Sequence, residues 1–249
     1  MDFLRCMFVV VIFSAISLAQ ALPAGTVLPV SVKSRIESKK EATGKKFEGS
    51  VMQEVLSSDG RVIKRGARVS GHIVSASDSK LVLRFDSVED SGQTIPLNVR
   101  LLAVASMTSV ADAESPVNAV PDLPTNEWTT RQVGGDVVFR GRGITKSASG
   151  VTGKWLDGSN VLMMLTPNPD VGCENGPGYE RVQSLWLFSS AACGTYGFKD
   201  LTIARDESTT PGNIELDSES NVDIRPGSGW LLIENAAPGE KLPPKVNPK

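Results

Sequence analysis

Histidine occurs once in this chain of 249 residues, tyrosine twice and cysteine three times, and aromatic side chains make up only 6%. Charge of one sign is also missing: 26 Lys and Arg against 28 Asp and Glu leave a formal net charge of −2. Each scarcity removes a class of function. With one imidazole, any Ser-His-Asp or Cys-His mechanism depends on His72, and no G-x-S-x-G elbow is present. Zinc takes four ligands, drawn mostly from Cys and His, and the chain has too few near one another. A near-neutral, slightly acidic chain has no electrostatic footprint for nucleic acid. Arg140-Gly141-Arg142-Gly143 lacks the further glycines and following helix of a nucleotide loop. No motif requires a cofactor, and no catalytic, cofactor-binding or metal site is expected.

Long apolar runs are absent except at the N-terminus. There Arg5 precedes an apolar stretch from Met7 to Leu18, and Ala19-Gln20-Ala21 has the A-x-A form of a cleavage site. Residues 1–21 therefore read as a secretory signal, with no membrane span left after its removal. The protein is expected outside the cytoplasm, in the periplasm or extracellular space of the cell envelope. Cys6 leaves with the signal. Cys173 and Cys193 remain, and an even pair in an exported chain predicts one disulfide. It would close a loop rich in turn residues, worth about 3 kcal/mol in the loop-entropy account.

What the chain does have is strand and turn grammar. A pattern of apolar, any, any, Gly, small, any, apolar occurs at Leu22–Leu28, Ile63–Val69 and Ile224–Trp230. Each copy has the form of a tight turn that launches a strand, with Gly accepting positive φ. Alternating segments follow one another at short spacing. Val69, Gly71 and Ile73 share a face, as do Leu81, Leu83 and Phe85, and Ile95, Leu97 and Val99. Asp59-Gly60 and Ser91-Gly92 supply hairpin turns. The expected fold is all-β, a mainly antiparallel barrel or sandwich. Residues 105–135 break the rhythm with Pro116, Pro121 and Pro124 and read as a long polar linker or excursion, with one short helix possible near its start. Strand grammar returns from Asp136. Residues 22–235 then form one β domain, in which the strands Thr26–Val32 and Trp230–Ile233 belong to one β structure. Residues 236–249 read as a Pro- and Lys-rich disordered tail.

One arrangement in the first half is more specific. It runs from Leu22-Pro23-Ala24-Gly25-Thr26-Val27-Leu28 through Val51-x-x-Glu54-Val55 to Asp59-Gly60-Arg61-Val62-Ile63-Lys64-Arg65-Gly66-Ala67-Arg68-Val69. It closes with Leu81-Val82-Leu83-Arg84-Phe85 and Gly92-Gln93-Thr94-Ile95-Pro96-Leu97. This resembles the C-terminal β-barrel domain of TrbI-like conjugation and type IV secretion proteins, and more closely the short exported proteins that share that half without the secretion machinery. The resemblance covers Leu22 to Val104, with a weaker echo from Ser184 to Ile233. It implies a barrel in the cell envelope. A cleavable signal stands where those secretion proteins have a membrane anchor, and residues 105–135 are too polar to cross a membrane as their helical antenna does.

Other residues allow chemistry without specifying it. Glu215, Asp217 and Glu219 alternate, with Asp223 nearby, but a turn at Asp217–Asn221 breaks the face and no calcium-loop spacing is present. They read as a solvated edge that deters strand pairing. His72 reads as a surface side chain. Trp186 and Trp230 sit in apolar strands and are expected in the core. Trp128, in the linker, is the residue best placed for ligand contact. The expectation is a non-enzymatic exported envelope protein that contacts other envelope proteins or itself. The alternative is an extracellular ligand-binding β domain, with a glycan as ligand.

Overall fold

A computed structural model describes residues 21–39, 42–114, 128–139, 143–147, 150, 152–155, 161–164, 182–204 and 210–236. Gly25, Gly66 and Gly227 of the repeated pattern take φ of 77°, 87° and 88°, values that side chains disfavour. Each is the third residue of a turn closed by Thr26 N–H to Pro23 O, Ala67 N–H to Lys64 O, or Ser228 N–H to Arg225 O, all 3.1 Å. This is the geometry of a type II turn.

Each turn also clips onto a neighbouring strand by the same two bonds. The Gly N–H donates to a strand carbonyl, and the N–H of that strand residue donates back to the carbonyl after the Gly. Gly25 pairs this way with Glu234 (2.9 and 2.9 Å), Gly66 with Val51 (2.8 and 2.9 Å) and Gly227 with Val32 (2.8 and 3.0 Å). A fourth copy exists at Gly44, φ 80°, which pairs with Ile73 (2.8 and 2.9 Å). The sequence pattern passes over it because Glu41 and Lys45 stand where the other copies have an apolar and a small residue.

In chain order the first strands are β1 (Val27–Val32), β2 (Ile36–Glu37), β3 (Lys46–Val51), β4 (Val55–Leu56), β5 (Val62–Ile63), β6 (Arg68–Ser77), β7 (Lys80–Asp90), β8 (Gln93–Pro96) and β9 (Val99–Ala105). Helix α1 (Met107–Glu114) follows, then β10 (Trp128–Gln132), β11 (Gly135–Phe139), β12 (Ile144–Ser147), β13 (Thr152–Trp155), β14 (Val161–Met164) and β15 (Val182–Leu185). The last are β16 (Gly194–Tyr196), β17 (Thr202–Ala204), β18 (Asn213–Asp217), β19 (Asp223–Ile224) and β20 (Gly229–Glu234). Nine strands form a nearly closed, barrel-shaped mixed sheet in the order β16-β9-β20-β1-β3-β6-β7-β18-β17, with β8 paired to β7. Only β16 and β9 run parallel within it. Of the all-β barrel or sandwich expected from the sequence, the barrel is the observed architecture.

The barrel is built on an internal two-fold. From the middle of β9-β20-β1-β3-β6-β7 the order reads alike in both directions, because β1 and β20 pair as β3 and β6 do. Each half carries a short arm: β2 with β19, and β4 with β5. The match extends to single bonds. Ser38 N–H donates to Val222 O and Ser57 N–H to Arg61 O, both at 2.9 Å. One arm is a closed hairpin, turning at Ser58–Gly60. The other is opened at its tip, and the whole of 39–221 is inserted there. The strands that begin with the first and last Gly patterns therefore lie side by side, with Val27 opposite Ile233 and Val30 opposite Trp230.

The barrel core gathers Leu28, Val30, Val32, Val69, Leu81, Leu83, Leu216 and Leu232 around stacked aromatics. Phe47 meets Phe85 edge-on at 5.1 Å, and Phe85 meets Trp230 at 5.5 Å. Such contacts add about 0.5–1.5 kcal/mol each beyond burial. Only glycine fits at position 71 beneath these rings: a Cβ there would collide with Phe47 Cζ and with the Arg84 carbonyl oxygen.

β10 to β15 form a separate six-stranded antiparallel meander in chain order. It packs on the outer face of the barrel strands β1, β9 and β20, where Val27, Ala103, Leu231 and Ile233 meet Val161, Met163, Leu185 and Phe188. β20 is buried at all six positions for this reason. Residues 105–135 are less irregular than expected. Ala105 ends β9, 107–114 are helical and β10 starts at Trp128, while 115–127 lie outside the described residues. Their low hydrophobicity hid β10, whose strand identity comes from pairing Trp128–Gln132 with Gly135–Phe139. Residues 1–20 and 237–249, which hold almost all of the expected signal and tail, lie outside the described residues. No helix among the described residues is long and apolar enough to cross a membrane.

Candidate functional site

Two buried glutamines, Gln53 and Gln183, join the meander to the barrel, and a third, Gln132, ties the first strand of the meander to the segment after its last. Gln53 follows β3. Its Nε2 donates to Ser184 O at 2.6 Å and its Oε1 accepts from Trp186 N–H at 2.9 Å. Gln183 Oε1 accepts from Val27 N–H at 3.1 Å, and Gln132 Nε2 donates to Trp186 O at 2.8 Å. A carboxamide offers a donor and an acceptor, so it satisfies strand backbone that would otherwise be buried unpaired.

This junction fixes the β4–β5 arm beside the end of β15. Val55 and Ile63 face inward and are buried, paired across the hairpin. Leu56 and Val62, the next pair, face outward and are 63% and 45% exposed. Sequence alternation cannot tell which of Val55-Leu56 and which of Val62-Ile63 points out; the turn register decides. At the tip the Asp59 carboxylate accepts from Arg61 Nε at 2.7 Å and Arg61 N–H at 3.1 Å, and also from the Ser57 hydroxyl. These bonds, the Arg61 guanidinium first, hold the Asp59 carboxyl down at about 2. Arg65, in the turn before β6, places its guanidinium 4.5 Å from the centre of the Trp186 ring.

The equivalent β2–β19 arm is different in chemistry. Glu37 and Asp223 occupy the positions of Leu56 and Val62. Arg35 makes paired 2.9 Å bonds to both Asp223 oxygens and lies 3.2 Å from Glu37, and these guanidinium bonds lower the Asp223 pKa. Lys39 lies 3.6 Å from Glu37.

The other residues singled out in the sequence are scattered. His72 lies on the outer face of β6, its Nδ1 2.9 Å from Asp86 Oδ2, with both side chains substantially exposed. Among the described residues no serine hydroxyl or thiol bonds to that ring. Glu215 pairs with Lys80 across β18 and β7. The acidic residues of that region form no group that could hold a metal among the described residues. Trp230 is fully buried in the barrel, as expected, whereas Trp186 lies just past β15 and is half-buried. The backbone of Trp128 opens β10, and its side chain lies outside the described set. Cys193 is buried, its N–H donating to the Tyr196 hydroxyl at 2.9 Å. Cys173 lies outside the described residues.

Comparisons with protein-family models, with curated proteins and with solved structures returned no match.

Proposed function

We propose that this is a non-enzymatic, exported protein of the cell envelope that acts through protein–protein contacts. Its β frame resembles the TrbI-like barrel, put to use without that family's membrane anchor. The observation that supports a contact role is the exposed cross-strand pair Leu56 and Val62, on an arm that lies beside a buried junction. Apolar side chains fixed on an arm gain by being covered, at ~25 cal/mol per Å² of surface removed from water. Export, and a Cys173–Cys193 disulfide in the oxidising compartment, belong to the same proposal.

The test is the assembly state of the mature protein, starting at Leu22, purified from the envelope fraction. Chemical crosslinking and light scattering are expected to show a second envelope protein or a self-associated species. A strictly monomeric protein without crosslinked partners ends the contact reading. The glycan alternative has less support: Arg65 lies over one face of the Trp186 ring and Trp230 is buried.

A further inference from the structure

The two arms act as an internal control on each other. Their backbones pair in the same way, and each is preceded or followed by the same Gly turn. At the outward positions one arm carries Glu37 and Asp223 and the other Leu56 and Val62. The fold thus accepts polar side chains at these positions, there neutralised by Arg35 and Lys39, so the apolar pair is not required to build the arm. The cations differ as well. Arg35 and Lys39 are matched to carboxylates on their own arm. On the β4–β5 arm Arg61 is matched to Asp59, but exposed Lys64 and Arg65 make no ion pair among the described residues.

Resting on the contact reading above, we propose that the β4–β5 arm docks an acidic-apolar segment of a partner protein. Aliphatic side chains of that segment cover Leu56 and Val62, and Asp or Glu residues flanking them meet Lys64 and the outer edge of Arg65. Arg65 is preorganised for this because stacking on Trp186 restrains its guanidinium while leaving N–H groups to donate. A bilayer surface fits less well: Lys64 and Arg65 are two cations where anionic-lipid binding draws on clusters of about four to eight, and two aliphatic side chains on a short arm offer little area to insert.

A photoreactive benzoylphenylalanine placed at Ser58, beside the apolar pair, tests this in the producing cells. The same group at Lys39, the matching position of the other arm, is the control. The expected result is a protein adduct from position 58 and not from 39, mapped by mass spectrometry to a segment with aliphatic residues next to Asp or Glu. Leu56→Gln with Val62→Thr, or Lys64→Glu alone, should cut its yield about tenfold or more, the effect of losing a contact hot spot. Thermal unfolding of these variants should match the parent, since the exchanged side chains are exposed and no pair of like charges is set across the hairpin. Absence of an adduct at 58, equal labelling at both positions, yields insensitive to the substitutions, lipid adducts or adducts to a second copy each overturn the proposal. Protein adducts confined to other surfaces overturn it while leaving the contact reading intact.

Discussion

Asp59 is the side chain whose charge depends most on local geometry. Within the five residues from Ser57 to Arg61 the carboxylate gains the Arg61 guanidinium, a hydroxyl and a backbone N–H. Its pKa in the fold is about 2, below the ~3.9 of an unfolded aspartate. A lowered folded-state pKa means that its contribution to stability is complete above ~4 and is lost as pH falls through about 2. Urea unfolding of the parent and of Asp59→Asn should therefore differ by a constant amount above pH ~5 and converge towards pH ~2. A difference that does not change with pH would show that the carboxylate contributes nothing through its charge. The Asp-Gly pair was visible in the sequence as a turn. The Arg61 contact was not, because it depends on which way a long side chain folds back.

The elements show where alternation suffices and where it does not. β6 and β7 have one face in the core and one in solvent, and their patterns announce them. β20 is buried on both faces, so Trp230-Leu231-Leu232-Ile233 has no polar side to reveal which residues enter the barrel and which meet the meander. Gln53 is the converse case: a polar residue that is buried because it stands in for a missing strand partner. Gln53→Ala should destabilise the protein by about 2–4 kcal/mol, leaving Ser184 O and Trp186 N–H buried and unsatisfied. Gln53→Glu keeps the acceptor for Trp186 but turns an oxygen towards Ser184 O, so it should cost a similar amount at neutral pH. Chemical denaturation reads both. A loss under about 0.5 kcal/mol for either would mean that the junction is open to water.

For the whole molecule, the pairing of β1 with β20 joins the two ends of the barrel sequence, and everything from 39 to 221 is inserted within one arm. Contacts so distant in sequence close late and at high entropic cost. Once formed, they are the best protected, because β20 lies between the barrel core and the meander. Native-state hydrogen exchange should find the slowest amides in β1 and β20, exchanging only on global unfolding. Faster exchange there than in β6 and β7 would place the stable centre elsewhere.

The order of residues was sufficient for the all-β class and for three of the four Gly turns, and the recurrence of that turn near both ends placed the first and last strands in one β structure. The class and the turns rest on short-range rules: positive φ at glycine, and period-two alternation beside a single buried face. The fourth turn, the two-fold relation of the arms, the strand hidden at Trp128–Gln132 and the outward register of Leu56 and Val62 required the folded molecule. The fourth turn and the two-fold are set by backbone pairing between distant segments, and the hidden strand and the outward register by hairpin pairing; in each case the deciding bonds are backbone bonds, which side-chain identity does not encode.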